Sequence, residues 1–166
     1  LATQLIDLGI NLTILLNMAD WAAAKNIEIR SYELFKHLGV PILQTDARNQ
    51  KGLAQIKELI HQRNFSKAPQ FVDILEVVPA TLLDQVKEKF GLENNYQAYQ
   101  MIRFGAKDKS ISEEKRNWLA QALVESGFNL EEAQLEETKI RYKKITELVT
   151  KSLTKKSAPK AKSTID

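Results

Sequence analysis

The chain contains no cysteine, which excludes disulfide bonds and metal sites built from thiolates. It also lacks any apolar run approaching the roughly 20 residues that a helix needs to cross a bilayer, and its first residues lack the basic start and apolar core of a signal peptide. It begins with Leu1 rather than Met, as expected for a piece of a longer protein. Its 166 residues, 43% hydrophobic and 27% charged, have the composition of one ordinary globular domain or two small ones.

A basic face is missing as well, although the formal net charge is +3 and the pI is about 9.0. The positive excess comes from the last sixteen residues, which contain five lysines and one aspartate. Nucleic-acid binding would rest on this pI alone and is the least favoured function. Residues 154–163 are rich in Lys, Ser, Ala and Pro and predict a linker, because they offer too little apolar area to pack. A solubilising charged end is the alternative interpretation of this tail.

Two polar side chains follow a short apolar run near the start of the chain. Residues 11–20, Asn-Leu-Thr-Ile-Leu-Leu-Asn-Met-Ala-Asp, predict a strand buried on both faces that ends at Asn17 and Asp20. Open α/β sheets bind ligands beyond the carboxyl ends of their strands. The Asp20 carboxylate can accept two N–H donors from one planar edge, a pattern that guanine presents and adenine does not. On spacing alone, however, Asn-x-x-Asp more often marks a turn or a helix cap.

A second apolar run shows the same arrangement and leads into Asp46, Ala47 and Arg48. The predicted elements of this region are strands at 11–17 and 40–45 and helices at 31–38 and about 53–62. Strand, helix, strand, helix is a parallel βαβα unit, whose crossover should be right-handed. The loops after the two strands then emerge at one edge of the sheet, where they can close around a flat ring.

The remainder of the chain has helical periodicity. Residues 71–78 are predicted as extended, and four helices follow: 79–90, a helix from Asn94 or Asn95 to Gly105, a helix after the capping-box sequence Ser110-Ile-Ser-Glu113, and 130–153. The predicted apolar stripes are Leu82, Leu83, Val86 and Phe90; Tyr96, Tyr99 and Ile102; Trp118, Leu119, Ala122 and Leu123; and Tyr142, Ile145 and Val149. Four amphipathic helices with short connections predict a small all-α bundle.

In this order, the motifs resemble those of the ferrous iron transport protein B (FeoB) family. Asn-Met-Ala-Asp at 17–20 and Leu-Gly-Val-Pro-Ile-Leu-Gln-Thr-Asp-Ala-Arg at 38–48 look like the fourth and fifth motifs of a small GTPase domain, with Met18 where most GTPases carry Lys. The opening helix at 1–9 and the Arg-Tyr pair within 137–145 are also similar to segments of that family. The last four residues look like the start of the segment that leads into the membrane, so the resemblance covers nearly the whole chain.

The resemblance implies three parts. They are the C-terminal part of a G domain at 1–65 (a partial, doubly wound GTPase sheet), a helical GDI-like domain at 66–153 that slows nucleotide release, and a basic linker to a membrane domain at 154–166. It further implies that Asn17 and Asp20 hold and read the guanine of GTP or GDP, with the thioether of Met18 against the ring. The backbone N–H of Ala47 would face the guanine carbonyl oxygen and Arg48 would flank the ring. Asp46 stands where the fifth motif usually has Ser or Thr.

The sequence has no Gly-x-x-x-x-Gly-Lys-Ser/Thr and no Asp-x-x-Gly motif. Nothing in it should therefore cradle the phosphates or the Mg²⁺ that the full-length protein would bind, and no catalytic residue is expected. No metal site is expected either, because adjacent glutamates on a helix point about 100° apart and the predicted bundle contains no Glu-x-x-His. His37 and His61 are interpreted as surface or capping residues.

These observations predict a cytosolic regulatory segment of a GTP-dependent ferrous iron transporter, at the cytoplasmic face of the cell membrane. The alternative is a stand-alone helical protein-interaction module with no nucleotide binding. The expected partners are guanine nucleotide, the missing G-domain half and the membrane domain, without nucleic acid. Because the strand at 11–17 would lack a neighbour, residues before about 65 are expected to be disordered or to self-associate through that strand, while 71–153 folds by itself.

Overall fold

The computed structural model describes residues 1–62 and 68–155. The helices are α1 (Ala2–Asp7), α2 (Ala19–Ala24), α3 (Ser31–Leu38), α4 (Leu53–Gln62), α5 (Ala80–Phe90), α6 (Asn95–Phe104), α7 (Glu113–Ser126) and α8 (Leu130–Ser152). The strands are β1 (Ile14–Leu16), β2 (Ile27–Ile29), β3 (Ile42–Gln44) and β4 (Leu153–Lys155), and short 3-10 helices lie at Ile74–Glu76 and Gly105–Lys107. Along this described part of the chain, no helix is both long and apolar enough to cross a bilayer.

The chain forms two compact units, each of which is built from two separate segments of the sequence. The helical unit contains Leu1–Asn11 and Ala68–Lys144, and the α/β unit contains Leu12–Lys67 and Ile145–Asp166. This division differs from the predicted one, which gave residues 1–11 to the G-domain part and the end of the last helix to the helical part. The predicted start of the helical domain at residue 66 and the tail from residue 156 lie outside the described residues.

In the α/β unit, β1 and β3 form the predicted parallel pair, with Ile14 opposite Ile42. Both strands have only three residues, and β1 is not buried on both faces, because Leu15 is 45% exposed. Among the described strands, β1 pairs with β3 alone. The expectation of a strand buried on both faces is therefore wrong for this structure, whereas the lack of a second neighbouring strand among the described residues agrees with the prediction.

The connection from β1 to β3 is longer than the predicted single helix. Between β1 and the predicted helix α3 lie α2 and β2, and β2 pairs antiparallel with β4, bringing Ile27 opposite Lys155. Beside this pair, the backbone N–H of Arg30 donates to the carbonyl of Ser152 over 2.8 Å. Thr154 and Lys155, which were predicted to begin a linker, are therefore part of a strand.

The helical unit has helices at the predicted places, but residues 71–78 contain a 3-10 helix at Ile74–Glu76 and form no strand. Its core consists of Val72, Ile74, Val78, Leu82, Leu83, Val86, Tyr96, Ala98, Tyr99, Ile102 and Leu119. Asn94 caps α6, at one of the two predicted positions, and Asn129 caps α8. Ser112, rather than Ser110, caps α7, because the Ser110 hydroxyl donates to Asp108 instead.

Helix α8 buries a different face from the predicted one. Tyr142 is 65% exposed and Val149 is 44% exposed. The buried positions of this helix are Ala133, Glu137, Arg141, Leu148 and Ser152, which follow one another at intervals of four or seven residues and so share one face. Three of these five side chains are polar, so a search for an apolar stripe could not find this face.

The reason for this face is a buried polar cluster that joins α8 to α1. One guanidinium nitrogen of Arg141 lies 2.7 Å from the Asp7 carboxylate and 2.5 Å from that of Glu137, and another donates to the Thr3 hydroxyl. Asp7 also accepts the backbone N–H groups of residues 71 and 72. Burial raises the pKa of Asp7, while the Arg141 guanidinium opposes that shift. The helical unit of this structure therefore includes α1, which the prediction had placed in the G-domain part.

Candidate functional site

The two loops that follow β1 and β3 meet around a cavity of about 290 Å³ in the α/β unit. The residues that line it are Asn17, Met18, Asp20, Trp21, Asp46, Ala47 and Arg48. All six residues singled out in the sequence thus lie together, with Trp21 added. Their proximity follows from the parallel pairing, since the carboxyl ends of β1 and β3 lie at one edge.

The side chain of Asn17 ties the two loops together. Its Oδ1 accepts the backbone N–H of Ala47 over 3.1 Å and the hydroxyl of Thr45 over 3.5 Å. The backbone strengthens this junction, because Thr45 donates to Leu16 and accepts from Ala19. The Ala47 N–H, which was expected to face a base carbonyl, therefore donates to Asn17 in this structure.

Met18 turns the chain from β1 into α2. It has a φ of 65° and caps the helix in the left-handed conformation, which is uncommon for a residue other than glycine. This turn places Asp20 in the first turn of α2, where its exposed carboxylate lines the cavity. Within residues 1–62 and 68–155, no hydrogen bond or ion pair is made by the Asp20 carboxylate, so both of its oxygens can accept.

Asp46 lines the cavity, but its carboxylate makes its hydrogen bonds within its own loop. Its carboxylate accepts the side-chain amide of Asn49 over 2.6 Å and the Asn49 backbone N–H over 3.2 Å. These bonds, helped by the charges of Lys51 and Arg48, lower the pKa of Asp46 below its ordinary value of 3.8. A backbone bridge between Asp46 and Lys51 closes the loop.

Gly52 is required where this second loop leads into α4. Its φ is +88°, and a Cβ at this position would lie 2.9 Å from the Thr45 side chain and 3.3 Å from the carbonyl of Gln44. Any other residue would push against the end of β3. The loop that carries Ala47 and Arg48 therefore depends on this glycine as well as on Asp46.

Trp21 is the residue that the sequence analysis missed. It is 53% exposed, and the Nζ of Lys25 lies 5.8 Å from its ring centroid. The available signal was its position directly after Asp20, together with the fact that the chain has only two tryptophans. The sequence pattern favoured a core position for the tryptophans rather than a stacking surface, and that interpretation is wrong for Trp21. Because α2 was not predicted, nothing indicated that its first turn borders the loop pair.

These features define a class of protein: a parallel strand pair with an Asn-Met-Ala-Asp turn on one strand and an Asp-Ala-Arg loop on the other is a partial G-domain fold. Residues 1–60 match the family model described as ferrous iron transport protein B. This match covers 60 of the 166 residues, and together with the structural matches below it supports a resemblance to the FeoB family.

Solved structures of FeoB cytosolic domains resemble most of the chain. The cytosolic domain of L. pneumophila FeoB has a TM-score of 0.68 at 23% identity, covering 93% of this chain and 62% of that one. The NFeoB of S. thermophilus, with bound mGMPPNP, has a TM-score of 0.63 at 25% identity, covering 96% and 63%. The cytosolic domain of T. maritima FeoB, in a GDP form, has a TM-score of 0.62 at 18% identity, covering 93% and 61%.

The L. pneumophila and T. maritima similarities establish the fold alone, because their identities are low. The present chain spans about 60% of the length of these structures. A search of curated proteins found no significant match.

Proposed function

We propose that this chain supplies the guanine-recognition part of the G domain, and its release-controlling helical partner, in a GTP-dependent ferrous iron transporter. The observation that carries the proposal is the cavity in which the unpaired Asp20 carboxylate faces the loop of Ala47 and Arg48. The S. thermophilus relatives, whose structures contain GDP or mGMPPNP, support guanine nucleotide as the ligand.

In the proposed recognition, the hydrogen-bond donors of the base edge decide which base the Asp20 carboxylate binds. The two oxygens of Asp20 accept the ring N–H and the exocyclic amino group of guanine, whereas adenine presents an acceptor at the equivalent ring nitrogen. Asn17 holds the loop of Ala47 and Arg48 beside the loop of Asp20, because its Oδ1 accepts the backbone N–H of Ala47. The uncharged thioether of Met18 lies against one flat face of the base, and the guanidinium of Arg48 flanks the ring.

The remaining parts of the proposal rest on the family resemblance. GTP hydrolysis, Mg²⁺ and the phosphates belong to the other half of the G domain, because this sequence lacks the motifs that hold them. The described residues contain no group of three potential metal ligands that could take over this role. The helical unit would slow nucleotide release, and the lysine-rich tail, outside the described residues, would lie near anionic lipids at the cytoplasmic face.

Binding should be weak in this chain, because the charge-assisted contacts of a nucleotide are made mainly by its phosphates. The test is a titration of the full 166-residue chain with guanosine monophosphate, followed by the backbone amide NMR signals of the two loops. We expect saturable shifts at Asn17, Asp20 and Ala47 with millimolar midpoints. A micromolar midpoint would contradict the assignment of phosphate binding to the other half.

Asp20→Asn tests the recognition itself. The amide replaces one acceptor with a donor, so the variant should lose about 10- to 100-fold in affinity for the guanine nucleotide and gain affinity for the xanthine nucleotide. Glu58→Gln, on the exposed surface of α4, is the matched control and should leave both affinities unchanged. An unchanged base preference in D20N would contradict the role of Asp20. The absence of any loop response in a folded chain would favour the interaction-module alternative.

A further inference from the structure

We propose that Trp21 is a base-contacting residue, against whose indole the purine ring packs when Asp20 reads its edge. This inference rests on the proposed function and adds to it a residue that neither the family resemblance nor the sequence pattern assigns. The indole supplies binding that does not depend on the identity of the base, whereas Asp20 supplies the choice between bases. The two contributions are therefore separable by experiment.

The position of Trp21 is the first argument. Asp20 and Trp21 are consecutive in the first turn of α2, and both line the cavity between the two loops. The left-handed turn at Met18 begins this helix, and although consecutive side chains diverge by about 100°, Asp20 and Trp21 both border the cavity. A flat ring held by the carboxylate at its edge thus lies within reach of a flat aromatic side chain.

The exposure of Trp21 is the second argument. An indole is a large apolar group whose burial favours stability, yet 53% of Trp21 is exposed at the cavity. The chain's other tryptophan behaves differently: Trp118 is partly buried in the helical unit and packs 6.1 Å from the ring of Phe90. Aromatic side chains that bind bases by stacking are exposed before the ligand arrives and are covered by it.

The third argument concerns what orients the indole. Lys25 lies one helical turn after Trp21, and its ammonium is 5.8 Å from the ring centroid. Tryptophan is the best aromatic partner for a cation, and this contact restricts the ring without adding a hydrogen-bond requirement. Lys25 is therefore a positioning residue for Trp21. Because stacking tolerates any purine, the combined effect should appear in affinity and not in base preference.

The experiment uses the full-length chain in a Trp118→Phe background, so that Trp21 is the only tryptophan. Titration with guanosine monophosphate should quench its fluorescence with the same midpoint as the amide shifts of Asp20 and Ala47. N-acetyl-tryptophanamide, titrated in parallel, corrects for collisional quenching and light absorption by the nucleotide. A linear response equal to that of the free amide would overturn the proposal.

Variants supply a second readout in the NMR titration. Trp21→Ala should raise the midpoints for the guanine and adenine nucleotides by a similar factor of about 10, and Trp21→Phe should retain most of the affinity. Lys25→Met should raise the midpoint less than W21A does and shift the Trp21 emission. Tyr32→Ala is the matched control, since Tyr32 is an exposed aromatic residue of the same unit, on α3, that does not line the cavity.

The outcomes separate this inference from the proposed function. If the loop amides of W21A saturate at the wild-type midpoint, Trp21 is not a contact, although Asp20 still reads the base. If W21A changes the preference between guanine and adenine, the assignment of a base-independent role is wrong. If neither the amides nor the indole responds to nucleotide in the folded wild-type chain, the proposed function fails together with this inference.

Discussion

Replacement of Arg141 by Met should destabilise the helical unit more than any surface substitution. Arg141 is 5% exposed and lies between two buried carboxylates, those of Asp7 and Glu137. It also donates to the Thr3 hydroxyl over 3.0 Å, and its guanidinium carbon lies 5.2 Å from the ring centroid of Tyr96. Methionine has a similar length and preserves most of the packing, so the change removes mainly charge and hydrogen bonds.

The magnitude follows from what remains after the substitution. Asp7 and Glu137 would be buried side by side without a cation, and breaking a buried pair in this way costs about 3–5 kcal/mol. Asp7 keeps the two backbone N–H groups of Phe71 and Val72, which places the expected loss toward the lower half of that range. A domain of ordinary stability has about 5–15 kcal/mol, so R141M should remove a large fraction of it.

The assay is urea unfolding followed by the fluorescence of Trp118, which lies in the helical unit, in a Trp21→Phe background. Lys143→Met, an exposed lysine on the same helix, is the matched control and should change the free energy of unfolding by less than about 0.5 kcal/mol. A loss below about 1 kcal/mol for R141M would refute the reasoning, because it would mean that water reaches the carboxylates.

A combined variant distinguishes lost charge balance from lost packing. When Asp7→Asn and Glu137→Gln are added to R141M, no uncompensated charge is buried, and stability should recover by at least about 1 kcal/mol relative to R141M alone. If the combined variant is less stable than R141M, the destabilisation comes from packing and hydrogen bonds, and the electrostatic account is wrong.

Two further predictions concern the α/β unit. The Asp46 carboxyl should titrate below 3.8 in carbon-detected NMR, and Asn49→Ala should raise its pKa. Because the folded pKa is lowered, the stabilisation by ionised Asp46 is present above the unfolded pKa and is lost as the pH falls through the folded one. N49A should therefore lose less stability than the wild-type chain as the pH falls below 3.8. The open side of β1 should cause concentration-dependent dimerisation, which Leu15→Lys should abolish in sedimentation experiments; a monomeric wild-type chain at high concentration would contradict it.

The sequence by itself was sufficient to locate the candidate site. Asn17 and Asp20 directly follow an apolar run, and Asp46, Ala47 and Arg48 follow another. The assumption that two such strands pair in parallel then brings both loops to one edge. The structure has this parallel pairing, and few other arrangements of the two strands are available. Because each loop is attached to the end of its strand, the pairing also places the two loops side by side. The helix caps at Asn94 and Asn129 were equally accessible, since capping depends on residues only three positions apart.

Only the tertiary structure decided which parts of the chain belong together. A three-residue strand such as β2 or β4 is too short to show periodicity, and the two pair across more than a hundred residues of sequence. Arg141 and Glu137 look like solvated helix charges until Asp7, far away in sequence, is buried against them. The position of Trp21 at the candidate site was likewise visible only in the tertiary structure. Whether an aromatic side chain is buried or exposed depends on what the rest of the fold packs against it.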